Sequence, residues 1–419
     1  MKRWMGIAVT AAAAVALLGG CASQAPKAES GKDVTLTYAV WSQDATMQKL
    51  IDQFQKENPK IHVKLQVDPF MDYWTKLQVA ATAGKAPDAF WMLGDHFQTY
   101  ASNGQLLVLD AAIKDAKIDM SVYPKALVNL FNYKGHQYGL PKDFDTIGLW
   151  YNKKMFDAAG VKYPDSTWTW DDVRKNAKLL TNPANGTFGI AAPLNRQESL
   201  YNTVAQAGGN IISADGTKSG YDKASTQAGI QFWIDLLKDG SSPTLAQMSD
   251  TEAVAQFENQ KVAMYYGGSF YASRFYQNKA LQPNVDVTVL PTGMKRATVI
   301  NGIQNVGAAK TAHPAELAKF LLFLGGKEAA KIQAATGAVI PAYKNTQQGW
   351  VDSMPNFNLK AFMDEIPYSV VYPVSGNTSA WNDLETANLT PVWQLTTSVK
   401  DGADALAKGM NAKLAAEKK

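Results

Sequence analysis

Cysteine is nearly absent from this chain of 419 residues: Cys21 stands alone. No disulfide framework can therefore organise it. Histidine is scarce as well, four in all, and no two occur at metal-ligand spacing. A dominant charge is missing too. The formal net charge of +4 includes Lys2 and Arg3, in a segment expected to be removed, and without them 39 basic residues face 37 acidic ones. That balance excludes the electrostatics of nucleic-acid or polybasic membrane binding. The chain contains no Gly-x-x-x-x-Gly-Lys-Ser/Thr phosphate loop and no Gly-x-Ser-x-Gly nucleophile elbow. What is plentiful is rings, with 11 Trp and 17 Tyr. Many belong to a core, but amphipathic rings are also the surfaces on which a sugar or planar ligand stacks. The length exceeds what one hydrophobic core usually supports, so two lobes are expected.

The N-terminus has the pattern of a secretory signal. Met1-Lys2-Arg3 is charged, and the apolar run Trp4–Leu18 falls short of the ~20 residues that span a bilayer. Leu17-Leu18-Gly19-Gly20-Cys21-Ala22 resembles a bacterial lipobox. The resemblance implies that residues 1–20 are a signal peptide cleaved before Cys21, whose sulfur is then lipidated. Residues 21–33, lacking periodicity, form the lipidated cysteine and a flexible tether. The expected location is the outer face of the cell membrane.

The mature chain opens with a strand. Val34, Leu36, Tyr38 and Val40 alternate with Thr35, Thr37 and Ala39. Trp41 follows, and Ser42, Gln43 and Asp44 lead into a helix over Ala45–Glu57. A second strand, Ile61–Val67, completes a parallel crossover. A helix over Met71–Ala83 and a short strand, Ala89–Met92, come next. Asp95 then repeats the placement of Asp44, just past a strand and beside a helix start. Each acid alone suits a helix cap. Two of them beside Trp41 and Trp91, at the carboxyl ends of neighbouring strands, point to the ligand crevice of an open α/β sheet. His96 is a weaker candidate, because such a histidine is more often solvated or capping than a ligand.

Several segments, taken in order, resemble the extracellular family 1 solute-binding proteins of ABC-type sugar importers, a group that includes maltodextrin-binding protein. They are the opening strand with Trp41, LIDQFQKENPKIHV, APDAFWMLGDHFQTYASNGQLLVLD, LWYNKKMFDAAG, STWTWDDV, FENQKVAMYYGGSF, and AAKTAHPAELAKFLLFL with GAVIPAY. The resemblance implies an α/β protein of two lobes, each a mixed sheet flanked by helices, with the ligand cleft at the hinge. Lobe one is expected to take 34–141 and 297–340, lobe two 142–296 and 341–419. The implied partners are a small carbohydrate and the membrane permease, with a monomer as the assembly, no cofactor and no nucleic acid.

In lobe two, Asp143 and Asp145 follow the first crossing. Paired carboxylates suggest a glycosidase, but residues two apart in extended chain point to opposite faces. Hydrogen bonding to ligand hydroxyls is the better role for them. Thr169 and Asp172 fit a capping box, and Trp168 with Val173 a hydrophobic staple, so the Trp168–Trp170 pair belongs to packing. The buried strand ending in Tyr265-Tyr266 runs into Gly267-Gly268-Ser269-Phe270. By resemblance this turn carries a stacking aromatic and a backbone donor for sugar, with Tyr266, Gly268 and Phe270 as candidates. Asn301 and Gln304 break the alternation of a strand expected over Thr298–Ala309, and so approach the cleft. Tyr372 and Trp381, in an aromatic stretch weak in periodicity, complete the candidates. Two alternatives stay open: a receptor of the same fold for a polyamine or peptide, and a secreted glycosidase using Asp95, Asp143 or Asp145.

Overall fold

The computed structural model describes residues 33–42 and 45–417. The signal sequence, Cys21, most of the tether and Asp44 lie outside the described residues. The opening strand, Val34–Val40, forms as its alternation demands, burying Leu36, Tyr38 and Val40. It is the central partner of the first sheet. Ile61–Val67 runs parallel along one edge with Val34 opposite Ile61 and Val40 opposite Val67, and Ala89–Leu93 runs parallel along the other. Ile303–Gly307 then adds antiparallel to Ala89–Leu93, which makes the sheet mixed. The helices Ala45–Glu57 and Pro314–Gly325 pack on one another through Phe54, whose ring lies 4.8 Å from Phe320 and 5.4 Å from Phe323.

The second sheet orders its strands Val285–Thr288, Ile147–Asn152, Val262–Gly268 and Phe188–Ile190. Ile147–Asn152 and Val262–Gly268 are buried at every position. Their apolar runs do not alternate because helices cover both faces. The capping box at Thr169 forms as expected, with Asp172 accepting from the Thr169 amide at 2.8 Å. Trp168 and Val173 are both buried beside it.

Three crossings join the lobes. Asp143–Phe144 pairs antiparallel with Ile340–Pro341, so two of them run side by side. Asp145 and Asn301 exchange backbone hydrogen bonds of 2.9 and 3.3 Å. The strand expected over Thr298–Ala309 is broken at Asn301-Gly302 rather than continuous. Thr298–Ile300 stays with lobe two, where the Ile147 amide donates to Thr298 Oγ1 at 3.0 Å and the Val299 amide to Asn202 Oδ1 at 2.8 Å. Only Ile303–Gly307 enters the first sheet. The break at 301–302 falls later in the chain than residue 297, where lobe one is expected to resume. Gly302 is required there, since a Cβ would sit 2.4 Å from the Asp143 carbonyl.

Candidate functional site

Strand ends place the first wall. Trp41 leaves the sheet half-buried and meets four rings: edge-on Trp91 at 4.7 Å, Tyr73 at 5.2 Å and Phe70 at 5.7 Å, with a tilted Trp74 at 5.8 Å. Hydrogen bonds fix the cluster from below. Trp91 Nε1 donates to Tyr38 Oη at 2.7 Å, and that hydroxyl donates to Asn305 Oδ1 at 2.6 Å. At the first crossing, Lys142 lies 4.8 Å from the centre of the Trp91 ring and pairs with Asp143 at 2.5 Å. Asp143 Oδ1 also accepts from the Ile303 amide at 2.8 Å. Both charges are almost fully buried, so the pair neutralises itself.

Lobe two supplies Phe270. It is 41% exposed, yet it lines the same recess of about 200 Å³ as Trp41, Trp91, Lys142 and Ile303. Gly268 makes this placement possible, because a Cβ there would lie 2.0 Å from the Phe270 ring. Gly268 thus serves through the side chain it lacks.

A second set lies at the start of the helix Gly94–Ser102. His96 stacks on Trp74 with ring centres 3.7 Å apart, and burial lowers its pKa against the pull of Asp95, 3.9 Å away. Burial raises the Asp95 carboxyl, opposed first by His96 and, across the gap, by Arg196 of lobe two. Arg196 opens a π-helical turn, Arg196–Leu200, and is held by Glu385 Oε2 at 2.6 Å and by the Asn382 carbonyl. Tyr372 is buried edge-on to Tyr201 at 5.3 Å, close enough to Asp95 and Arg196 to feel both charges.

The same turn presents Gln197 to the crossings. Its Nε2 donates to Asp145, and its Oε1 accepts from Asn301 Nδ2 at 3.0 Å. Burial, with the neighbouring Asp143 charge, pushes the Asp145 carboxyl well above its ordinary range. Asp143 and Asp145 face different partners, as their two-residue spacing requires.

Three expected residues are not brought to the cleft. Tyr266 is 1% exposed inside lobe two, edge-on to Trp233 at 5.0 Å. Its strand is covered on both faces, so alternation cannot expose it. Trp381 is fully buried and donates from Nε1 to Ser375 Oγ at 2.8 Å. Its helix, Thr378–Trp393, turns that position into the lobe-two core. Gln304 is also fully buried, with its amide packed where a Cβ on Gly139 would be.

Lys142 and Gln333, which line the recess, and Trp74, Arg196 and Gln197, which lie against His96, Asp95 and Asp145, were not anticipated. Only Asn195-Arg196-Gln197-Glu198, a polar run just after Pro193-Leu194, carried a local signal. The others depend on long-range pairing. Among the described residues, no cluster of His, Cys, Asp and Glu could hold a metal ion, and no helix is long and apolar enough to cross a membrane.

Residues 38–331 match the family of bacterial extracellular solute-binding proteins. The chain belongs to that family. This solute-binding protein is 29% identical to the maltotriose-binding protein of Pyrococcus abyssi over 47% of its own length and 41% of that protein's. It is 25% identical to the multiple sugar-binding protein of Streptococcus mutans over 74% of its length and 75% of the relative's. Its fold superposes with a TM-score of 0.85 on the ABC substrate-binding protein Lmo0181 of Listeria monocytogenes, solved in complex with cycloalternan. That match covers 92% of this chain and 100% of the other at 28% identity. The expected two-lobed α/β binding-protein fold is therefore the fold observed.

Proposed function

We propose that this solute-binding protein captures a neutral mono- or oligosaccharide between its lobes and delivers it to an ABC-type importer, without catalysing a reaction on it. One observation carries the reading: Trp41 and Trp91 from lobe one and Phe270 from lobe two line a single recess. Ring faces suit the C–H faces of a sugar, while acids and amides pair with its hydroxyls. Asp143 is tied to Lys142 and Asp145 to Gln197. Among the described residues that leaves less carboxylate charge for a polyamine than the sequence suggests, and neither of these two acids is free to pair with another across one bond. The names of the relatives support a carbohydrate. The Cys21 lipid anchor, the membrane-surface location and the monomer are part of the same reading.

Ligand-induced thermal shift tests it, using maltotriose, raffinose and cycloalternan against spermidine. A micromolar sugar, worth about −8 kcal/mol, at 100 times its Kd stabilises the fold by about 2.7 kcal/mol. A rise in melting temperature with at least one sugar and none with spermidine is expected. A rise with spermidine alone makes the protein a receptor for cations, and sugar cleavage proportional to protein makes it an enzyme.

A further inference from the structure

The recess beneath Trp41 reaches between two lobe-one helices. Thr46, Met47 and Leu50 come from Ala45–Glu57, and Gln333 from Lys327–Thr336, with Ala338 and Val339 just beyond. Gln333 is 1% exposed, yet neither its Oε1 nor its Nε2 has a hydrogen-bond partner. A buried amide in that state is destabilising, because it loses water and gains nothing in exchange. Its helix neighbours Ala329, Ala330 and Ala334 are buried and apolar, so an apolar residue of glutamine's size suits that face. Gln304 differs, since its amide is packed on Gly139 and does not line the recess.

The recess has the right chemistry to supply what Gln333 lacks. Its volume of about 200 Å³ exceeds the ~30 Å³ share of one water several-fold. Among the described lining residues the single cation, Lys142, is already neutralised by Asp143, so these residues favour an uncharged occupant. Met47, Leu50, Ile303 and Val339 add apolar side chains to the wall, beside the polar Ser42 and Thr46. A primary amide offers an acceptor and two donor hydrogens side by side, which matches two adjacent hydroxyls.

We infer that Gln333 reads a vicinal pair of hydroxyls on the ligand ring that enters this recess, and that it is a specificity-determining residue and not a packing one. The inference rests on the carbohydrate reading above. Gln333→Met keeps the volume and removes the hydrogen bonds. The ligand-free variant is expected to melt about 2–4 °C higher than the wild type, since an unpaired polar group has been removed from the interior. Its Kd by calorimetry is expected to be at least tenfold weaker, for whichever of maltotriose, raffinose and cycloalternan shifts the wild type most. A lower melting temperature without ligand gives Gln333 a structural role and overturns the inference. So does an unchanged Kd, which leaves only water in contact with the amide. If none of the three sugars shifts the wild type, the carbohydrate reading fails and the hydroxyl assignment fails with it. The ligand-free melting comparison still shows, in that case, whether the amide lacks a partner.

Discussion

Trp41 belongs at once to a packed ring cluster and to the wall of the recess. Its ring closes a cluster with Phe70, Tyr73, Trp74 and Trp91 while remaining half-buried at the recess. Trp41→Ala removes that stacking surface. Sugar affinity measured by calorimetry is expected to fall tenfold or more, with stability lower by about 2 kcal/mol and the fold retained. An unchanged affinity would remove Trp41 from the site. Glu365 poses a separate question at the same scale. It is fully buried in lobe two, accepts from the Leu290 amide, and burial pushes its pKa up to about 8. The folded state then holds a proton that the unfolded chain releases near the ordinary glutamate value of about 4.3. Stability attributable to this group is therefore full below that value and is lost as pH rises toward 8. Glu198, pushed up to about 7 by burial against the Tyr265 and Tyr271 hydroxyls, acts in the same direction, and His96, with its lowered pKa, in the opposite one. Glu365→Gln isolates one contribution. The difference in stability between variant and wild type should grow in the variant's favour from pH 5 to pH 8, by up to about 4 kcal/mol. A difference that stays flat with pH shows that Glu365 is ionised throughout.

At the scale of elements, two glycines in lobe two separate structural from functional demands. Gly189 lies in the strand Phe188–Ile190, where a Cβ would come within 2.0 Å of the Ala177 carbonyl on the helix Trp170–Leu180. Backbone cannot rotate aside, so Gly189→Ala should destabilise by 3 kcal/mol or more, on the order of the largest packing losses. At Gly268 the obstacle is the Phe270 ring, a half-exposed side chain that can swing away. Gly268→Ala should therefore keep the melting temperature within about 2 °C while weakening sugar binding, as denaturation and calorimetry would show; equal losses from both variants contradict this division. Elements of this kind were legible wherever local pattern decides them. Ala45–Glu57 and Ile61–Val67 form with the predicted bounds, and Gly160 ends its helix in the left-handed conformation. Pattern fails where tertiary contacts choose the break. Thr298–Ala309 reads as one strand, yet the chain forms Thr298–Ile300 and Ile303–Gly307 with a break at Asn301-Gly302. The site divides the same way. Trp41 and Phe270 follow from their places just past strand ends and Trp91 from the strand beside them, whereas Gln333 reaches the recess only because its helix packs beside Ala45–Glu57. Tyr266 and Trp381 are lost to the core because a ring's chemistry is the same inside a lobe as at its edge.

For the whole molecule, the arrangement of charge across the gap bears on closure. Asp95 of lobe one senses Arg196 of lobe two without forming an ion pair with it. Arg196 is itself anchored by Glu385, whose carboxylate also accepts from Tyr201 at 2.9 Å and from Tyr221. A cation held this firmly is preorganised, so closure need order only the ligand and the far wall. The crossings at Asp143–Phe144, Asn301-Gly302 and Ile340–Pro341 are the few positions where the lobes are covalently joined, and hinge motion is concentrated in such places. A ligand touching both lobes favours the closed form by the difference in its affinity for the two states. Small-angle scattering with and without a saturating sugar should therefore show a smaller radius of gyration in the liganded protein. Trp41→Ala, saturated at its own higher ligand concentration, should give the same compaction, since the substitution leaves Phe270, Arg196 and Gln197 of lobe two in place. Arg196→Leu should behave differently. It leaves Glu385 buried without its cation, which lowers stability by about 3–5 kcal/mol, and it removes the charge facing Asp95. A liganded wild type whose scattering curve is unchanged from the free protein would mean that the lobes are held as one rigid body, and that capture occurs without closure.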